Sequence, residues 1–171
     1  MPESKNEINT ESKTEPKTEH WFYHLEQSSL EQILPDILGK THAKGWRALV
    51  KVGPLLGAPN VQLKRFDDYL WTFKKDSFLP HGRDDEPMAE HHPILLSTDC
   101  QDLGDADVVI LIGGAEMQNV EGVQRCITIL DGNDDADKAI ARGRWKQAKA
   151  DDLSVAYWKQ DDFGKWGQPF K

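Results

Sequence analysis

Two spacings of apolar residues divide the chain. Leu30, Ile33, Leu34, Ile37 and Leu38 recur every three or four positions behind the serine N-cap signal of Gln27-Ser28-Ser29, and Gly45 closes the run. This spacing predicts a helix. Pro35 falls early enough in it to be tolerated, at some cost to the first turn. Leu63, Phe66, Leu70 and Phe73 mark one face of a second helix, and the run around Ile140 makes a third. Between these lie short apolar or alternating segments that predict strands: WFYHL from Trp21, RALVKV over 47–52, PILLST, VVILIG, CITIL and LSVAYW. PILLST and VVILIG are apolar almost throughout, the signature of strands covered on both faces. Strands alternating with helices predict a three-layer α/β domain with a mostly parallel central sheet and right-handed crossovers.

The flanks read differently. Residues 1–20 hold no apolar segment, and a Glu/Lys/Thr/Ser-rich arm of this kind buries too little surface to order itself, so disorder is expected there. The ordered domain is expected over 21–160, with 161–171 as a flexible tail. At 171 residues the chain suits one ordinary core. Cys100 and Cys126 lie far apart without metal-type spacing, as free thiols in a reducing compartment would. No run is long enough to span a membrane, and a cytoplasmic protein is expected.

Charge narrows the functions. The formal net charge of -8 argues against a broad duplex-binding surface, while leaving room for a local basic patch. The turn Gly53-Pro54-Leu55-Leu56-Gly57 has no phosphate-loop pattern, and Pro54 removes an amide that would cradle phosphate. Gly113-Gly114-Ala115-Glu116 sets a carboxylate where phosphate needs donors. His81, His91 and His92 lie near Asp84, Asp85, Glu86 and Glu90, but match no metal signature and read as an exposed polar loop. No nucleophile, base and orienting group can be assembled. No catalytic residue, metal or cofactor is therefore expected.

One stretch runs against the acidic whole. KAIARGRWKQAK, residues 138–149, gathers Lys138, Arg142, Arg144, Lys146 and Lys149 around Trp145 with no acid among them. Asn133 or Asp134 is a plausible N-cap, and acids near the start with bases near the end suit the helix dipole. At roughly 100° per residue, Lys138, Arg142, Trp145, Lys146 and Lys149 share about one 100° sector. Ala136, Ile140 and Gly143 lie opposite, as a small-residue face toward the sheet, and Arg144 points elsewhere. A solvated charged face is the plain reading. Such a face can also grip carboxylates while the indole offers an apolar wall, which suits an acidic peptide ending in a hydrophobic residue. The competing reading is direct binding of single-stranded nucleic acid by 138–149, with Trp145 stacking a base.

WFYHL, RALVKV, LWTF followed by SFLPHG, PILLST, the Asp-Gly-Asn-Asp turn, ARGRWKQAK and SVAYWKQ, in this order, resemble the chi subunit family of bacterial DNA polymerase III holoenzyme from about Phe22 to Gln160. The resemblance implies a Rossmann-like fold without nucleotide chemistry and a non-catalytic replication subunit. That subunit holds the acidic C-terminal tail of single-stranded-DNA-binding protein, which ends in proline, phenylalanine and a carboxylate, and links it to the clamp loader. DNA would be reached mainly through that partner. Lys138, Arg142, Trp145 and Lys146 match the family's tail-binding helix; Trp145 stands where tyrosine is frequent, and Asp131, Asp134 and Asp135 would narrow the site. By spacing alone Trp71 and the aromatics after it suit the core. The resemblance makes Trp71 and Phe78 an interface for the psi subunit or a helicase-like protein. GPLLGAPN is more broken by Gly and Pro than the family pattern, and the arm before Trp21 has no counterpart in it.

Overall fold

The computed structural model describes residues 17–169, so the N-terminal arm falls almost wholly outside the described residues. Eight strands form one sheet: β1 (Glu19–Leu25), β2 (Ala48–Val52), β3 (Gly82–Arg83), β4 (Ile94–Ser97), β5 (Val108–Ile112), β6 (Arg125–Asp131), β7 (Val155–Gln160) and β8 (Trp166–Gly167). Their order is β3-β4-β2-β5-β6-β1-β7-β8. All pairings are parallel except β7–β8. Among the described residues there are three α-helices: α1 (Leu30–Ala43), α2 (Pro59–Thr72) and α3 (Asp135–Ala150). The expected three-layer α/β architecture is the one observed.

Strand alternation assigns the layers. Ala48, Val50 and Val52 of β2 join Ile110, Ile112, Ile127 and Ile129 under α1 and α2, whose Leu34, Leu38, Leu63, Phe66 and Leu70 complete that core. The opposite face carries Leu49, Val109, Leu111 and Cys126 beneath the loops around Leu103 and Met117, and Phe22 and Leu130 beneath α3.

Local chemistry explains the helices. Ser29 caps α1 with a full capping box: its side chain accepts from Gln32 N–H while Gln32 reaches back to Ser29 N–H. Pro35 deprives the Glu31 carbonyl of its helical donor, and the Tyr69 hydroxyl of α2 supplies one instead at 2.7 Å. A proline defect in one helix thus becomes a tie to its neighbour. In the broken stretch GPLLGAPN, Pro54–Leu56 form a 3₁₀ turn and Pro59 opens α2, where its missing N–H costs nothing.

Four expectations need correction. β1 begins at Glu19 rather than Trp21. Residues 161–169, expected as flexible tail, turn at Asp161–Gly164 and return as β8; Gln160 anchors them, its amide nitrogen donating to Gly164 O and Ser28 Oγ while its Oε1 accepts from three successive backbone amides, Glu26, Gln27 and Ser28. Polar composition concealed that anchor. His81 is buried, not part of an exposed loop, with Nδ1 2.7 Å from Leu79 O and Nε2 3.1 Å from Asp67 O. The fourth correction concerns the face α3 turns to the sheet, described with the site.

The crevice where open parallel sheets usually hold ligands, past the strand C-termini, is closed between β2 and β5. Leu55 N–H donates to Gly113 O, and a Cβ on Gly53 would lie 2.2 Å from Ala115 N. The glycines here permit one loop to lie on the other.

Candidate functional site: a cationic cleft beside α3

Asp134 caps α3, accepting from Ala136 N–H at 2.9 Å and Asp137 N–H at 3.2 Å. The residues buried against the sheet are Asp137, Ala141 and Ala148, whereas Ala136 and Gly143 are exposed and Ile140 is half-buried. The helix is therefore rotated from the expected orientation. Several small residues can serve as a packing line, and the helical period does not choose among them. The choice falls to Ala141 and Ala148, which allow close approach, and to Asp137, whose carboxylate accepts from Asp131 N–H at 2.9 Å. Burial raises the pKa of Asp137, partly offset by that bond.

This rotation decides where Trp145 goes. Its indole stands beside the buried line, half-buried and stacked on Tyr157 with centroids 6.2 Å apart, and Tyr157 in turn stacks on Phe22 at 5.9 Å. Trp145 is a wall rather than a ring projecting into solvent. In front of it lies a cleft of about 590 Å³ lined by Lys138, Arg142, Trp145, Lys146 and Lys149 of α3, with Tyr157, Lys159, His24 and Pro169 on the other side. All four residues expected to bind a tail are thus brought together. Arg144 points away and donates to Ala115 O.

The strands supply what the sequence reading missed. Phe22 pairs with Tyr157 and His24 with Lys159 in the parallel register of β1 and β7. Tyr157 and Lys159 therefore project on the α3 side together with His24. His24 Nδ1 lies 2.6 Å from the Tyr157 hydroxyl and Nε2 lies 2.8 Å from Glu26 Oε1. Burial holds the His24 pKa below its ordinary value; Glu26 opposes this, and Lys159 and Lys138 reinforce it. The direction of the Nδ1–Tyr157 bond follows the tautomer: with the proton on Nε2, Nδ1 accepts from the hydroxyl. Burial also raises the Tyr157 pKa, against the pull of Arg142, which keeps that hydroxyl a donor.

The cations are held apart by separate partners. Lys138 meets the exposed Asp135 at 3.1 Å, Lys159 reaches Glu26 at 3.6 Å, and Lys149 lies 4.9 Å above the Trp145 ring. Asp134 and Asp131 are engaged with backbone amides at the start of the helix. Chemically, the cleft offers charge-assisted donors along one side and stacked aromatic surface along the other.

Trp71 and Phe78 also come together. They are 50% and 69% exposed, with ring centroids 5.7 Å apart, and Trp71 rests on the His81 ring at 4.4 Å. Trp71 belongs to α2, which packs over β2, β3 and β4, whereas α3 packs on β6 and β7. The two surfaces thus occupy opposite halves of the sheet. Among the described residues no helix is long and apolar enough to cross a membrane, and no three His, Cys, Asp or Glu side chains gather as metal ligands.

Residues 18–156 match the family of the DNA polymerase III chi subunit, HolC. A probable DNA polymerase III subunit chi from Rickettsia prowazekii (strain Madrid E) is 25% identical over 108 residues, which is 63% of this chain and 62% of that protein. The matching region spans β1 and α3 and ends one residue before Tyr157, which with Lys159 of β7 lines the other side of the cleft. The chain belongs to the DNA polymerase III chi subunit family.

Proposed function

We propose that this chain is a non-catalytic adaptor of the replication machinery, whose α3 cleft holds the acidic C-terminal tail of single-stranded-DNA-binding protein. The observation that carries this reading is the convergence of Lys138, Arg142, Lys146 and Lys149 on one cleft walled by Trp145 and Tyr157. A terminal carboxylate suits the guanidinium of Arg142, which can donate two parallel hydrogen bonds to it, and the hydrophobic last residue suits the aromatic wall. The exposed Trp71–Phe78 pair, in the other half of the sheet, would engage the clamp-loader side through a psi subunit, or a helicase-like protein in its place. Two separated surfaces are what a linker requires.

The test is a titration of the tryptophan fluorescence with a short acidic peptide ending in Pro-Phe-carboxylate, repeated with the terminus amidated. Saturable, salt-sensitive binding that amidation weakens is expected. Absence of binding at low salt would reduce the α3 cations to a solvated face. Phe78→Ala is expected to leave peptide binding unchanged and to weaken capture of the clamp-loader partner.

A further inference from the structure

The sheet extends two strands beyond β1, and on the side opposite α3 no described helix covers them. α1 and α2 lie over the inner strands, so a groove of about 560 Å³ opens between α1 and the outer edge. Trp21, Tyr23, Trp158 and Trp166 form its floor on β1, β7 and β8, with Trp46 at one end. The register explains the clustering: Tyr23 pairs with Trp158 and Trp166 with Gln160, so all project on the face shared with Trp21. Trp21 lies 6.5 Å from Trp158 and Tyr23 meets Trp166 edge-on at 5.5 Å.

Cations accompany the rings. Lys40 comes from the exposed flank of α1, Lys44 from its C-cap and Arg125 from the start of β6, against the carboxylate of Asp36 among the lining residues. Arg125 lies 3.7 Å from the Trp21 ring centroid and 5.4 Å from that of Trp46, and Lys44 lies 4.5 Å from that of Trp46. Two buried donors, Trp158 Nε1 and Arg125 Nε, lack a hydrogen-bond acceptor; the Glu19 carboxylate is 3.6 Å from the latter.

A ligand that uses all of this needs flat π faces, acceptor atoms and negative charge together. A proline-rich peptide would use the rings and ignore the cations. An acidic peptide ending in a single hydrophobic residue would use the cations and leave most of the five rings unmet. Nucleotide units carry all three properties, and aromatic side chains on adjacent strands of an uncovered sheet face are a recurrent platform for single strands. We propose that this groove binds a short single-stranded segment of nucleic acid, about two or three bases stacked over Trp158 and Trp166, with phosphates met by Lys40, Lys44 and Arg125. This is a different surface from helix 138–149, where the Trp145 ring is already stacked on Tyr157. With a net charge of -8 the contact is weak and salt-sensitive, and it gains weight when the chain is held near DNA by its assembly.

The experiment is a fluorescence-anisotropy titration of the whole chain with a labelled oligothymidylate of about ten nucleotides at low salt. Saturable binding that falls with added salt is expected. Lys40→Glu with Lys44→Glu, both exposed and harmless to the core, should weaken it about fivefold or more, as should Trp166→Ala, with acidic-peptide affinity at the α3 cleft unchanged. Three results would overturn the proposal: no oligonucleotide binding, binding lost in Arg142→Glu but retained in the double lysine variant, or binding of a polyproline peptide in place of the oligonucleotide.

Discussion

The two faces of the β1–β7 edge are made from adjacent residues of the same strands, yet they differ in kind. Toward α3, Phe22, His24, Tyr157 and Lys159 support a cationic cleft whose aromatic wall is stacked three rings deep. Toward α1, Trp21, Tyr23 and Trp158 floor a broad aromatic groove with cations lying on ring faces. A helix covers the first face and, among the described residues, none covers the outer strands of the second. The covering layer, more than the strand sequence, decides whether an aromatic residue becomes a wall or a floor. Tyr157 and Trp158 are neighbours in sequence and belong to different sites.

The largest expected effect breaks the α3 side outright. Phe22 is 2% exposed beneath α3 and Tyr157, so Phe22→Ala should cost roughly 3–5 kcal/mol in urea unfolding. A cost near zero would mean that α3 is not held by this stack. Arg142→Ala should separate binding from folding: acidic-peptide affinity falls by roughly 1.5–3 kcal/mol while the unfolding midpoint stays put. Unchanged affinity at low salt would remove the cleft as the binding site. Tyr157→Phe keeps the stacked ring and removes only the hydroxyl that meets His24, so a loss of about 0.5–1.5 kcal/mol in stability is expected.

The smallest effect is a pH dependence. Because burial lowers the His24 pKa, the native state resists the proton that the unfolded chain accepts below about pH 6.5. The resulting stability is fully present above that value and is lost as pH falls through the lower native pKa. His20 shifts in the same direction through burial. Urea midpoints at pH 7.5 and 5.5 should therefore fall less in His24→Gln than in the parent, which retains both histidines; equal falls would show that His24 does not contribute.

Much of this protein was legible before folding was considered. The apolar spacings located α1, α2 and the main strands because helix and strand periods are local properties of the backbone. The charge pattern singled out Lys138, Arg142, Trp145, Lys146 and Lys149, and the structure brings these five to one cleft. Helix orientation was not legible, since a line through Ala141 and Ala148 and a line through Ala136 and Gly143 satisfy the same period. Lys51 shows the same limit: its charge argues for exposure, yet it is 1% exposed, and its ammonium donates to the Cys100 carbonyl.

Local sequence sets the elements, the acidic whole and the basic helix 138–149, because these depend on composition and on residues near one another along the chain. The tertiary structure alone decided that β7 lies beside β1, placing His24 more than a hundred residues from the helix it serves. It also folded 161–169 back onto β7 and left, among the described residues, no helix over the α1 side of the outer strands. Strand order follows from which crossovers bury the most apolar surface together, and that is a sum over the whole chain rather than a property of any segment.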